Sequence, residues 1–467
     1  MMTGAEAARL KEKRIFEEYP VGKAVAAMII PTIISQVIIV LHNIADTWFV
    51  GLTNDPNAIA AISLCLPVYS FLAGFSNLFG VGCAGVIARA LGKNQHGEAK
   101  KSFAIAFFGA FAISIFYSAL MFFFSEPILL LIGADLETIK LAVDYTFYII
   151  VLGGIPAILA NTLGHLIRSV GNSREASFGM IMGAVLNILL DALFMFVILP
   201  KGMEVVAVAI ATALSNLISL IYFAIFVYKN RDNGIFSFKI NFSEYKENLK
   251  RLAEIFRGGL PSFCMVTLAM VSNSVLNSMM SALGSEAVAG IGIVRKIDQL
   301  AHAVNQGTTQ GMLPLAAYCY SAKKYDRMWA VVKNSAIVTM VVSLTSFALS
   351  ELIPVQLVQL FIKDPITVKY GSEFLRIICI AVPIYSFIFI IISLFQAVGK
   401  STTPFLLSIL HKGTLDIVLM FIIKEYCELK TILWAAPISE IFTLCLTIIL
   451  VIHFAVNLKK SSNEEIA

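Results

Sequence analysis

Two aspartates stand in stretches that are otherwise apolar, and a carboxylate in such a place must be balanced by a proton, a cation or a hydrogen-bond donor. Asp46 closes the run His42-Asn43-Ile44-Ala45-Asp46, in which His42, Asn43 and Asp46 share one helical face. Asp191 follows Asn187 by four residues and is itself followed by six apolar residues, Ala192 to Val197. An aspartate at the centre of a membrane helix costs on the order of 2.5–3.5 kcal/mol on insertion scales. At about 1.5 Å per residue, Asp191 lies ~25 Å up its helix and Asp46 ~33 Å up its own, so the two reach comparable depth. Two neighbouring carboxylates in a low dielectric cannot both stay ionised cheaply; one is protonated or a cation bridges them. Asn43, Asn187 and Thr212 could complete the oxygen shell that hard cations take. Asp46, Asp191, Asn187, Asn43 and Thr212 are therefore the candidate cation-coupling residues, with Asp46 and Asp191 as metal ligands if sodium is the ion. The plainer reading of Asp46 is an interfacial residue capping the next loop.

A second polar stripe runs through Arg295, Asp298, His302, Gln306 and Gln310, spaced by three, four, four and four residues. It belongs against protein or water, not lipid. It either seals two helices through an Arg295–Asp298 ion pair or lines a substrate path. Asn273 and Asn277 form another four-residue pair, a spacing more often used for interhelical hydrogen bonds. Asn273, Asn277, Arg295, His302 and Gln306 are the substrate-cavity candidates. Lys412 and Asp416, also four apart, are expected to neutralise each other.

These residues have to be positioned by membrane helices. Of 467 residues 58% are hydrophobic and 14% charged, with a mean hydropathy of +0.84, against about a quarter charged in an ordinary soluble chain. Spanning a bilayer takes roughly 20 apolar residues as a helix, and the apolar runs here are long and continuous, not alternating as barrel strands would be. Twelve spans are predicted, at roughly 24–46, 58–82, 102–124, 138–160, 174–199, 203–228, 252–281, 287–313, 328–350, 369–393, 402–423 and 432–456. The polar stretch 229–251 is read as a cytoplasmic linker between an N-terminal lobe, 1–228, and a C-terminal lobe, 252–467. With the N-terminus inside, 25 of the 35 Lys and Arg fall in inside segments and 6 outside. Both termini are thus expected in the cytoplasm, and the net charge of +5 is a topology signal, not a nucleic-acid footprint. The seven scattered cysteines read as small buried hydrophobes. The polar N-terminus, up to Lys23, lacks the pattern of a signal peptide.

The chain echoes itself. Asn43 follows Pro31, and Asn273 follows Pro261, by twelve residues; 58–62 is matched by 287–291, Pro156 by Pro383 and Gly171 by Gly399, with offsets of 227 to 230. Six helices per half is an even number, so the halves run the same way through the membrane. The expected fold is all-α, twelve transmembrane helices in two six-helix lobes related by a pseudo-two-fold axis along the membrane normal, with a central cavity between them.

The segment from Ile30-Pro31 to Asp46-Thr47-Trp48-Phe49-Val50-Gly51, the run Leu166-Ile167-Arg168-Ser169-Val170-Gly171 ahead of Asn187 and Asp191, and the paired loops Gly92-Lys93-Asn94-Gln95 and Tyr320-Ser321-Ala322-Lys323-Lys324 together resemble the multidrug and toxic compound extrusion (MATE) transporters over essentially the whole chain. The resemblance implies antiport, a proton or sodium ion moving inward while an amphipathic, often cationic compound leaves across the plasma membrane. It assigns Asp46, Asn187 and Asp191 to a first-lobe cation site, makes Thr212 a looser match, and lets Pro31 bend the first span. Some members carry acidic second-lobe residues in helices seven and ten; the matching positions here are Ala269 and Tyr385, which places the chain with the subgroup coupled through the first lobe alone. No cofactor is expected beyond the coupling ion, and a monomer is expected.

A lipid-linked oligosaccharide flippase of the same superfamily is the alternative. It favours a strongly basic central cavity, and basic residues away from the ends of the predicted spans are few, Arg295, Lys296, Arg376 and Lys412. An enzyme is not expected: the sequence has no His-Glu-x-x-His pattern, no close aspartate cluster and no Walker-type loop for ATP.

Overall fold

The structure, a computed structural model, describes residues 10, 12–52, 55–200, 202–231, 235–411 and 413–464. Hydrocarbon offers no partner for a peptide group, so each span must satisfy its own backbone. The first lobe consists of Val21–Gly51 (α1), Pro56–Gly92 (α2), His96–Ile132 (α3), the bent pair Ile139–Leu152 and Gly154–Ser169 (α4), Ser173–Ile198 (α5) and Glu204–Lys229 (α6). The second consists of Tyr245–Met280 (α7), Ser285–Ser321 (α8), Tyr325–Leu352 (α9), the bent pair Pro365–Cys379 and Ala381–Ala397 (α10), Thr402–Tyr426 (α11) and Ala435–Glu464 (α12). Composition alone marks nine of the described helices as spans, and the two bent pairs make eleven. The twelfth is α8, whose Arg295, Lys296 and Asp298 make it too polar to be recognised by hydropathy. It sits inside the bundle, packed on α1, α2, α9 and α10.

The two bends occupy equivalent places. α4 turns by 47° and α10 by 41°. Pro156 and Pro383 each lie third in the helical segment that follows the break. A proline ring excludes the carbonyl four residues back and removes one hydrogen bond, so the helix parts there. By contrast α1 runs unbroken through Pro31.

The lobes meet through two pairs of helices that the pseudo-two-fold axis exchanges, α2 on α7 and α8 on α1. Glycines let these backbones touch. A Cβ on Gly82 would fall on the Ile255 carbonyl and one on Gly259 on the Leu78 carbonyl; one on Gly307 would meet Ile33 and one on Gly311 would meet Met28 and Ile29. Gly307 and Gly311 form the small-xxx-small spacing that brings membrane helices close. These contacts lie toward the end of the molecule that carries most of the Lys and Arg, here the basic end. Arg89 on α2 adds a bridge there, 2.8 Å from Glu254 of α7 and 3.1 Å from the Ala397 carbonyl of α10.

The stretch 229–251 read as a linker includes residues 232–234, which lie outside the described residues, and its last part is helical. α7 starts at Tyr245, led in by a 3₁₀ turn that Asn241 caps. Before it, Phe236 packs edge-on against Phe103 at 5.5 Å and Phe238 packs at a tilt against Phe107 at 4.6 Å, which lays the connection across α3. Arg251 pairs with Glu98 at 2.8 Å over the same surface.

Gly259→Ala and Gly311→Ala should each lower stability by about 1–3 kcal/mol, the usual effect of overpacking, read as a drop in the thermal midpoint of the detergent-purified protein. Gly97→Ala, where nothing lies within 4 Å of the added Cβ, should leave the midpoint unchanged or slightly raised.

Candidate functional site

The first-lobe carboxylates come together because α1 packs lengthwise on α5, and α5 on α6. That geometry sets Asp46 of α1 opposite Asn187 and Asp191 of α5, with Thr212 of α6 behind them. Asn187 is the hub. Its amide nitrogen lies 2.9 Å from Asp46 Oδ1, 3.0 Å from Asp191 Oδ2 and 2.6 Å from His42 Nε2, while its oxygen accepts from the Thr212 hydroxyl at 3.0 Å. This orientation is assigned from the hydrogen-bond partners; the opposite one sets the nitrogen on the Thr212 hydroxyl and the oxygen toward the carboxylates. Laying the two carboxylate contacts end to end puts those oxygens less than about 6 Å apart, within the range where like charges act strongly on one another.

Asn187 and Asp191 are fully buried and Thr212 is nearly so. Asp46 keeps 23% of its side chain accessible, and His42 Nε2 stands 3.3 Å from its Oδ2. Asn43 lines the adjoining cavity but contributes none of these contacts; the imidazole one residue earlier takes the place expected for it. Asp191 Oδ1 and His42 Nδ1 are buried and make no hydrogen bond within the protein.

Below this cluster a cavity of about 260 Å³ opens inside the first lobe, bounded by His42, Asn43, Tyr69, Asn161 and Thr212. A second of about 360 Å³ lies between the lobes, beyond the glycine contacts. Asn273, His302 and Gln306 line it, together with Phe389, Met265 and Arg168. Gln306, Gln310 and His165 border both spaces, so they stand at the passage between them.

Two members of the predicted cavity set are elsewhere. Asn277 is exposed on α7 and is not among the lining residues, because a four-residue step turns the helix about 40° past a full circle. Arg295 also stays out of the lining, and its Nε has no partner. The Arg295–Asp298 ion pair does not form; Asp298 instead accepts from the Tyr385 hydroxyl at 2.8 Å. Lys412 lies outside the described residues, and Asp416 accepts from the Ser272 hydroxyl.

Sequence reasoning missed a buried pair in the second lobe, His411 Nδ1 and Glu440 Oε2 at 2.7 Å, with side chains 0% and 2% accessible. The two lie on different helices with no shared spacing, so no local signal joins them. It also missed Arg168, which had counted as a cytoplasmic charge. The last turn of α4 folds it inward, to 1% exposure.

Comparison with known proteins bears on the whole chain. The MatE family model matches residues 31–193 and 261–422, one block in each half. Multidrug export protein MepA of Staphylococcus aureus (strain NCTC 8325 / PS 47) is 30% identical over 428 residues, covering 91% of this chain and 92% of that protein. Its namesake in Staphylococcus saprophyticus is 28% identical over 430 residues, 92% of this chain and 93% of that one. Among solved structures, a multidrug resistance MATE family transporter in an outward-facing conformation superposes with a TM-score of 0.85 at 22% identity, over 98% of this chain and 99% of that one. A MATE in the straight conformation gives 0.87 at 21% identity, over 96% and 99%. At that identity the structures speak to fold alone; the twelve helices in two lobes are theirs as well. With both halves matched by its model, this chain belongs to the MatE family, the MATE transporters.

Proposed function

We propose that the protein exports amphipathic small molecules by antiport with protons, bound in the first lobe at Asp46 and Asp191. The observation that carries this reading is the hub at Asn187. Three titratable side chains, Asp46, Asp191 and His42, converge on its amide within 2.6–3.0 Å. Hard cations take oxygen ligands, and one of the three groups here is an imidazole nitrogen. Two carboxylates and an imidazole around one amide form a set that can take up and give up protons. His42, close to both Asp46 and Asn187, is the third proton carrier.

The cycle follows from charge balance. With protons on the cluster, α1 and α5 lose the repulsion between Asp46 and Asp191 and can close on each other, narrowing the first-lobe cavity. With protons gone, the cavity reopens for substrate through the passage at Gln306 and Gln310. The central cavity of about 360 Å³ lies in the range of drug-sized ligand sites, about 300–1,000 Å³, which supports small molecules over lipid-linked oligosaccharides. The relatives named as multidrug export proteins support the same substrate scale. The basic end then faces the cytoplasm, where the lobes are closed in this structure.

Dye efflux from proteoliposomes tests the coupling. An imposed pH gradient should drive efflux by the parent protein, and a sodium gradient alone should not. Asp46→Asn and Asp191→Asn should each abolish it while the protein still inserts; full efflux by either variant refutes the assignment. His42→Gln should keep efflux but shift its pH dependence.

The orientation has its own test. Cys427 is exposed at the end opposite the basic one, so a membrane-impermeant maleimide added to intact cells should label it. A cysteine placed at Lys93 should react only after lysis.

A further inference from the structure

Arg168 poses a charge problem that ion coupling does not use. Its side chain is 1% exposed, yet its contacts are neutral: Nη1 donates to Gln310 Oε1 at 3.0 Å and lies 3.4 Å from His165 Nδ1, and Nη2 lies 3.5 Å from Met180 Sδ. Its Nε makes no hydrogen bond. No aspartate or glutamate is among the residues lining the central cavity, or the first-lobe cavity beside it. Buried cations are ordinarily paired. The carbonyl end of α4, in whose last turn Arg168 stands, supplies at most about half a negative charge, so a full positive charge at the junction of two cavities is left partly unanswered.

The geometry points to Arg168 as the anchor for a carboxylate in the transported compound, so we infer that the substrates are acidic or zwitterionic amphiphiles. This inference rests on the transport reading and specifies its substrate class; it is opposite in sign to the cationic compounds that the family resemblance implies. The guanidinium edge formed by Nε and Nη2 carries only a thioether contact, and that edge offers the two parallel N–H donors a carboxylate takes. Met180 covers it with a flexible side chain that can swing aside. Met180 borders the first-lobe cavity and Arg168 the central one, so the ligand lies across their junction with its apolar part against Phe389 and Met265 on the central side. A monoanion matches the single charge, whereas a phosphate dianion would bring an excess.

Equilibrium binding of 1-naphthylacetate, its methyl ester, 1-naphthylmethylammonium and 1-naphthyl phosphate to the purified full chain tests this. The carboxylate should bind the parent at least tenfold tighter than the ester or the ammonium, and tighter than the phosphate. Arg168→Gln should remove that preference and leave ester binding unchanged, and Arg168→Lys should restore part of it. Equal affinities for acid and ester in the parent overturn the assignment, even if Arg168→Gln does not fold. So does equal loss of every ligand in the variant, which would make Arg168 a latch onto Gln310, and so does tighter binding of the phosphate. Because binding is read without a gradient, failure of proton coupling leaves this result intact.

Discussion

The burial of charge in a low dielectric organises this molecule more than any other constraint. Lipid and tightly packed helices leave a carboxylate or guanidinium few ways to be balanced, so each buried charge must face a donor, an opposite charge, or a space that admits one. In the first lobe Asp46, Asp191 and His42 gather around one amide, Asn187. The second lobe meets that demand with fixed pairs, Tyr385 on Asp298 and His411 on Glu440. A cluster of three titratable groups around one amide can change its proton content. A pair already matched within itself has less reason to, and this contrast supports the proposal that the first lobe carries the coupling although the two lobes repeat one fold.

The fold supplies the movement such a cluster requires. The lobes are joined by glycine-to-backbone contacts on exchanged helix pairs, by an apolar core that continues across them from Met28 and Ile29 to Met312 and Leu315, and by polar bridges such as Arg89 to Glu254. Contacts of this kind hold only at close range. The bends at Pro156 and Pro383 stand in the walls of the two lobes at matching positions and give each bundle the same place to flex.

Much of this could be read from the residues. Asp46, Asn187 and Asp191 stood out because polar groups are rare in long apolar runs, and the offset between halves matched Pro156 with Pro383, beside which the two bends lie, whereas the one bend expected, at Pro31, is absent. α8 is legible as a run at 287–313, although its charged and amide side chains make it too polar to pass a hydropathy test. What escaped was of two kinds. Long-range partners such as His411 and Glu440 leave no spacing to detect. Direction also escaped: Arg168 has the composition of a cytoplasmic residue, and only the inward turn of α4 shows that it faces the cavity, while Asn277 shares a stripe with Asn273 yet turns out of it. The Arg295–Asp298 neighbours failed to pair because the Tyr385 hydroxyl from α10 reaches Asp298 instead.

Proton exchange against substrate is the central claim, and it can be measured without a membrane. Purified protein in weakly buffered detergent solution should release protons when a saturating transported compound is added, to the same extent with and without sodium, and the Asp191→Asn protein should release none. Release that requires sodium, or substrate binding with no change in bound protons, would contradict proton antiport at the first-lobe site.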